Sequence, residues 1–337
     1  MTYGIGEIRF RWETKLPGWV PFLLTVFCWG FLILAKNPNL VSPVNVFRLY
    51  PIRIVGISYM VFRCMHYMLD AAMIEKRRMG TLLNYVVFFP TLLAGPIERY
   101  ENFQAYYEQD KLLDPESVLP ALHRIANGVI KKFLIADTLA SLQLCRPDRS
   151  AELLWIGMFL QLAILYWDFS GYCDIVIGLS RLFRMKLCEN FNKPWLARNV
   201  QEFWERWHIS LTSLIRDYCF NPISVMIVRR VKPARQFPLI VLAYFFTMML
   251  IAFWHGTTMG FFWFGLIHGT MLVLSQCTKH YILPRLGASA RTKWMDGLLW
   301  VTFRRVVTYA WISPTLLLWR WGPETTWEML QTMIGMK

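Results

Sequence analysis

The sequence predicts an all-α, multi-pass membrane protein, and three observations carry that prediction. Charged residues make up only 17% of the 337-residue chain and hydrophobic ones 55%, where soluble domains carry roughly 25% charged residues. The apolar residues gather into runs at 19–35, 237–254 and 259–278 that hold no Asp, Glu, Lys or Arg, and His268 as their one histidine. A hydrocarbon core of about 30 Å needs about 20 helical residues, so these runs read as spans. Period-two alternation persists nowhere, which leaves helices as the only regular elements.

In chain order, helices are expected over 19–36, 54–76, 81–97, 121–145, 151–184, 199–220, 236–256, 258–281 and 295–320. The first follows Arg9, Arg11 and Lys15 in the manner of a signal peptide, but it ends Leu34-Ala35-Lys36 with no small-x-small cleavage pattern, so it is kept as a mature helix. The polar stretch 98–117 and the segment 284–296 read as extramembrane loops. No internal repeat or long hydrophilic block is present, which argues for a single membrane domain over 1–337.

The net charge of +14 does not point to nucleic acid here. Lys and Arg cluster at Arg181, Arg184, Lys186, Lys193 and Arg198, and again at Arg229, Arg230, Lys232 and Arg235, as loops on the cytoplasmic face of a membrane do. The expected location is therefore the cytoplasmic (inner) membrane, with the lipid bilayer as the first partner. Seven cysteines occur singly, with no Cys-x-x-Cys pair, and read as packing residues.

Polar groups inside apolar helices normally face protein and pair. Tyr59, Arg63, His66 and Asp70 share one helical face, and Arg63 with Asp70 is the expected structural pair. In "YWDFSGYCDIVIGLSRLF", Asp168 and Asp174 flank Gly171. Six residues of helix set them about 120° apart, which favours separate structural pairing over an acid/base dyad.

"FWERWHIS" (203–210) stands out in so apolar a chain. On a continuous helix, Trp204, His208, Leu211 and Ile215 form one row beside Phe203, Trp207 and Leu214, with Glu202 and Arg206 at ion-pairing distance on the other side. Such a helix belongs in the interface or dips into the bilayer inside protein. A second histidine, His255, closes an uncharged run in "IAFWHGTTMGFF", where Gly256 permits a close approach by backbone or ligand. An imidazole in apolar surroundings stays neutral and can accept a proton, as a general base for a hydroxyl nucleophile must. His268 is a third, weaker candidate. With no Cys or carboxylate at ligand spacing beside these histidines, no metal site is expected.

Four blocks, "FFPTLLAGPIERYENF", "DFSGYCDIVIGLSRLF", "NFNKPWLARNVQEFWERWHISLTSLIRDY" and "WHGTTMGFFWFGLIHG", together resemble the membrane-bound O-acyltransferases, within them the bacterial branch of alginate O-acetylation and teichoic-acid D-alanylation proteins. The resemblance runs from about residue 54 to 275 in unbroken order. It implies a ring of tilted helices around a thin centre, with re-entrant or interfacial helices and a tunnel. It also implies catalytic roles for His255 and His208, and brings Trp254 and Arg206 forward as substrate-binding candidates, Arg206 either through a phosphate-bearing donor or simply by holding its helix. The relatives carry more hydrophobic sequence before the block matching 54–70.

The implied reaction moves an acyl group, here read as acetyl, from a cytoplasmic thioester to a hydroxyl of an exported or cell-surface polysaccharide. The donor, acetyl-coenzyme A or an acyl carrier protein, is a substrate, and no cofactor is expected to be permanently bound. The acceptor side would be the polysaccharide itself or a periplasmic or extracellular acyl-relay protein. The alternatives are D-alanyl transfer to teichoic acid through a carrier protein, and a transporter or non-enzymatic scaffold subunit of a polymer export complex.

Overall fold

The structure, a computed structural model, describes residues 19–36, 56–71, 74, 77–109 and 115–336. Among them the regular elements are all helical, and strand pairing is limited to an isolated bridge between Phe191 and Trp207. In chain order the helices are α1 (Trp19–Lys36), α2 (Ile57–Asp70), α3 (Met79–Val86), α4 (Tyr100–Tyr107), α5 (Pro115–Val129), α6 (Asp137–Ser141) and α7 (Ala151–Leu182). There follow α8 (Val200–Arg206), α9 (Ile209–Ile215), α10 (Asn221–Arg230), α11 (Pro233–His255), α12 (Met259–Cys277), α13 (Ala288–Asp296) and α14 (Leu298–Met333). α7, α11 and the run Met259–Arg285 are long and apolar enough to cross a membrane, and the apolar stretch Val20–Ala35 of α1 is shorter. The seven cysteines are free thiols.

Several expected boundaries move. The helix expected over 81–97 ends at Val86, and Phe89–Thr91 forms a 3₁₀ turn with Pro90 inside it. The 98–117 segment is not one loop: α4 forms there and α5 starts at Pro115. Tyr100 and Phe103, three residues apart, are both buried, so this polar stretch has an apolar stripe to dock. The 284–296 segment carries α13. α14 runs on past 320, although Gly322 breaks its helical geometry.

The described residues fall into two compact units, one drawn from 1–134 and 168–190, the other from 135–167 and 191–337. In the first unit the core is aromatic: Tyr67 and Tyr85 meet Tyr100 edge-on at 4.9 and 5.4 Å. Arg63 is buried within this unit, but it does not pair with Asp70 as expected. Its guanidinium donates to the carbonyls of Tyr85 (3.0 Å), Val86 (2.9 Å) and Thr91 (2.7 Å), and to the Thr91 hydroxyl. The reason is geometric. Asp70 lies about 10 Å further along α2, whereas the end of α3 frees carbonyls that need donors.

α5 and α7 approach closely where Gly128 faces Gly171, since a β-carbon on Gly128 would fall 2.6 Å from the Gly171 carbonyl oxygen. Asp174 accepts from Arg124 (3.0 Å) and Lys131 (2.6 Å), and Asp168 accepts from Lys132. The two aspartates therefore have separate cationic partners, as their 120° separation predicts. Sequence reading passed over Glu98, buried in the same unit. Its carboxylate accepts from the Cys188 amide at 2.7 Å and from Asn102 at 2.8 Å.

In the second unit α11 and α12 pack closely against each other. β-carbons at Gly265 and Gly269 would fall 2.7 Å from the Ala252 methyl and 2.8 Å from the Phe245 ring. Without a hydrophobic drive between helices in lipid, small residues that let backbones touch are what hold such a pair.

Candidate active site

The Arg-Trp-His block does not form the continuous helix expected over 199–220. Asn199 caps α8, accepting from the Glu202 amide at 2.9 Å, while Glu202 reaches back to the Arg198 amide at 2.9 Å, a reciprocal arrangement that sets the start of the helix. α8 then stops at Arg206. Trp207 turns extended (φ −109°, ψ 129°) and bridges to Phe191, with the Asn192 amide donating to the Arg206 carbonyl at 3.0 Å. His208 takes a left-handed conformation (φ 45°, ψ 53°) and becomes the first residue of a new turn, its carbonyl accepting from the Thr212 amide at 3.0 Å. A residue with a β-carbon held there is strained by about 1–2 kcal/mol, and such strain gathers at functional sites.

The rows expected from helical spacing still face inward: Phe203, Trp204, Trp207, Leu211, Leu214 and Ile215 are all buried. His208 is only 6% exposed, and burial drives its imidazole down to about 3, leaving the ring neutral. Arg206 is engaged on every side. Its Nη2 donates to Glu202 at 2.9 Å and its Nη1 to the Asn192 carbonyl at 3.1 Å. These bonds tie the end of α8 to its first turn and to the Asn192 backbone. Burial alone would raise the Glu202 carboxyl, but the Arg198 amide and the Arg206 and Arg198 guanidiniums outweigh it and hold it below the ordinary range.

His255 is the last residue of α11 and is half-buried. Its ring lies among three aromatics: Trp319 at 4.4 Å, Trp254 at 4.5 Å and Phe261 at 5.9 Å, the last nearly parallel at 13°. Gly256 makes this possible, because a β-carbon there would fall 2.5 Å from the Phe261 ring. The close approach read at Gly256 is thus made by a side chain of the next helix. Trp254 is itself buried beside His255.

His268 on α12 is 1% exposed, between Phe264 at 4.2 Å and Trp204 at 5.6 Å. Its Nε2 lies 3.0 Å from the Thr315 hydroxyl, which donates its one proton to the Ile312 carbonyl at 2.6 Å. The hydroxyl must therefore accept, which puts the His268 proton on Nε2. Phe264 also meets Trp319 at 4.9 Å. An unbroken run of rings leads from His255 through Trp319, Phe264, His268, Trp204 and Phe203 to Trp207, the neighbour of His208. Sequence reading missed Phe261, Phe264, Thr315 and Trp319. Phe261 and Phe264 lie within the Trp-His-Gly block without standing out among 24 Phe, and Thr315 and Trp319 lie outside the four blocks. No cluster of three or more metal-ligating side chains occurs among the described residues.

Chemically, the site offers imidazoles set against aromatic faces, with His208 buried and neutral and His255 half-buried beside Trp254 and Trp319. That is an environment for proton transfer at a hydroxyl.

Comparison with known proteins finds acyltransferase relatives. The chain is 28% identical over 289 residues to a probable alginate O-acetylase of Pseudomonas aeruginosa, covering 83% of this chain and 51% of that protein. It is 26% identical over 302 residues to a teichoic acid D-alanyltransferase of Bacillus subtilis, covering 84% and 74%. It is 33% identical over 232 residues to a peptidoglycan O-acetyltransferase of Helicobacter pylori, covering 65% and 43%. The chain thus spans about half the length of the alginate relative it matches. The model of the membrane-bound O-acyltransferase family (MBOAT) matches residues 61–303, from within α2 to the first turns of α14 and including every histidine of the site, and the chain belongs to that family.

Proposed function

We propose that this chain transfers an acetyl group from a cytoplasmic thioester to a hydroxyl of an exported or cell-surface polysaccharide. The observation that carries the reading is the placement of His255 at the end of an apolar helix, half-buried among Trp254, Phe261 and Trp319. In this reading the acceptor hydroxyl lies against a ring nitrogen of His255. The imidazole takes the hydroxyl proton as the oxygen attacks the thioester carbonyl carbon. The tetrahedral intermediate then expels the thiolate, which recovers the proton from the imidazolium, so the base is regenerated and only the acyl group has moved. A positioned base of this kind is worth roughly 10²–10⁴ in rate.

His208 orients a substrate, Trp254 flanks the acceptor, and Arg206 keeps α8 in place. A tunnel through a ring of tilted helices in the cytoplasmic membrane brings donor and acceptor together from opposite sides. The acetyl-coenzyme A or acyl carrier protein thioester enters from one side, and the polysaccharide or an acyl-relay protein meets it from the other. The names of the alginate and peptidoglycan relatives support acetyl transfer to a polysaccharide. A D-alanyl donor is the second reading, favoured by the match to 74% of the Bacillus D-alanyltransferase.

The test is incorporation of labelled acyl groups into polymer by cells carrying variants at matched protein levels. His255→Ala and His255→Gln should both abolish transfer, since an amide hydrogen-bonds but does not accept a proton at neutral pH. Wild-type incorporation by His255→Ala would remove the assignment and favour a transporter or scaffold. Labelled acetate and labelled D-alanine, supplied in parallel, separate the two acyl readings.

A further inference from the structure

A slot of about 590 Å³ lies along α12, α13 and the first half of α14, away from the His255 ring cluster. Its walls are mostly apolar, and three of its lining side chains, Leu274, Phe303 and Trp311, are more than half exposed. The slot is therefore open along its flank. In a chain with membrane-spanning helices, an open apolar flank faces acyl chains.

One end of the slot is basic. Arg198, Lys279 and Arg304 line both the slot and a polar cleft of about 420 Å³. Arg198 Nη1 and Arg304 Nη2 converge on a single acceptor, the Met295 carbonyl, at 3.3 and 3.0 Å. Two guanidiniums sharing one neutral oxygen repel each other unless an anion joins them. Glu202 is the one carboxylate beside the pair, felt by Arg304 but already shared between Arg198 and Arg206, and Glu205 accepts from Gln201 at 2.8 Å. Among the described residues, Lys279 donates to the Gln201 amide oxygen alone, at 2.7 Å, and Arg304 makes no ion pair, its Nε being buried without an acceptor. The lining of the cleft thus sets four cations, Arg206 included, against two carboxylates. Asp296, at the exposed end of α13, is the further acidic group near Arg304.

We propose that this slot binds an anionic glycerophospholipid, its phosphate bridging Arg198, Arg304 and Lys279 and one acyl chain lying along Leu274, Phe303 and Trp311. Basic pockets between membrane helices at the cytoplasmic surface recognise acidic headgroups in this way. A zwitterionic headgroup would set its own cation against the surplus positive charge. The inference does not depend on the acyl-transfer reading.

Native mass spectrometry of the delipidated, detergent-purified chain tests it, with dioleoylphosphatidylglycerol, dioleoylphosphatidylcholine and glycerol 3-phosphate as probes. Phosphatidylglycerol should bind at least about fivefold more tightly than phosphatidylcholine, and Arg304→Gln should weaken it roughly fivefold, the worth of one headgroup cation. Lys279→Gln, at an exposed position, should act in the same direction and carries the comparison if Arg304→Gln is poorly folded. A photoactivatable phosphatidylglycerol should label peptides within 266–311. Equal binding of the two lipids, unchanged binding by Lys279→Gln, or labelling outside 266–311 would overturn the proposal. Binding of glycerol 3-phosphate as tight as that of the lipid would reduce the site to one for free phosphate and overturn it as well.

Discussion

The indole of Trp319 lies 4.4 Å from the imidazole of His255, centroid to centroid, with the two planes at 45°. Trp319 also touches Phe261 at 5.4 Å and Phe264 at 4.9 Å, so one side chain of α14 fixes rings from both α11 and α12. Trp319 therefore positions the His255 ring, which in the proposed function is the base.

Trp319→Ala should lower acyl transfer about tenfold or more, because a small displacement of a catalytic group is enough for such a loss. Trp319→Phe should restore most of it. Turnover per folded molecule separates positioning from mere folding: a displaced His255 ring lowers kcat at matched folded protein, whereas a simple loss of folded protein leaves it unchanged.

The left-handed backbone of His208 predicts a particular order of substitutions. His208→Asn tolerates that conformation and should give protein in nearly normal yield but with reduced transfer. His208→Val should lower the yield sharply, since a β-branched residue at positive φ is a genuine outlier and adds of order 1–3 kcal/mol of strain. Yield after detergent extraction and transfer activity, measured side by side, check both. A valine variant as abundant as the wild type would contradict the backbone assignment.

Burial holds the His208 imidazole at about 3 in the folded chain, against about 6.5 when unfolded. The unfolded chain therefore binds the extra proton below about pH 6.5, and stability must rise with pH across that window. His208 contributes fully above about pH 6.5 and loses its contribution as pH falls toward 3, by up to about 1.4 kcal/mol per unit. Thermal melting in detergent from pH 7 to pH 4 should show this slope in the wild type and a shallower one in His208→Asn. Equal slopes would rule the histidine out as the source.

Arg63 predicts an asymmetry within α2. Arg63→Leu strands the carbonyls of Tyr85, Val86 and Thr91 in a buried site and should destabilise by about 3–5 kcal/mol. Asp70→Asn leaves all of those bonds in place and should have a much smaller effect. Melting temperatures of the two variants decide it. A collapse equal to that of Arg63→Leu in the Asp70 variant would restore the pairing read from the sequence.

The fold was legible where the sequence is uniformly apolar. α1, α7, α11 and α12 start and end within a few residues of their expected positions, because a run without charges leaves a membrane chain little choice but helix. α4 was hidden because two buried aromatics in a polar octet give only a weak period. The break at Trp207–His208 was hidden for a different reason. No Gly or Pro marks it, and the extended conformation is set by a partner, Phe191, sixteen residues earlier. His255 and His268 were legible as ionisable groups in apolar helices. Their ring partners were not, since aromatic residues are common throughout this chain. Backbone carbonyls leave no mark in a sequence, so the true partners of Arg63 could not be read from one.

The empty β-position of Gly256 bears on how a mutational scan of this protein should be interpreted. A single methyl group added there would meet the Phe261 ring at 2.5 Å and displace the surface on which the His255 imidazole rests. A screen for lost activity should therefore score Gly256→Ala alongside His255→Ala, although a glycine has no proton to exchange. The two phenotypes part under chemical rescue: added imidazole can stand in for a deleted histidine side chain, but it has no means of returning a displaced ring to its place.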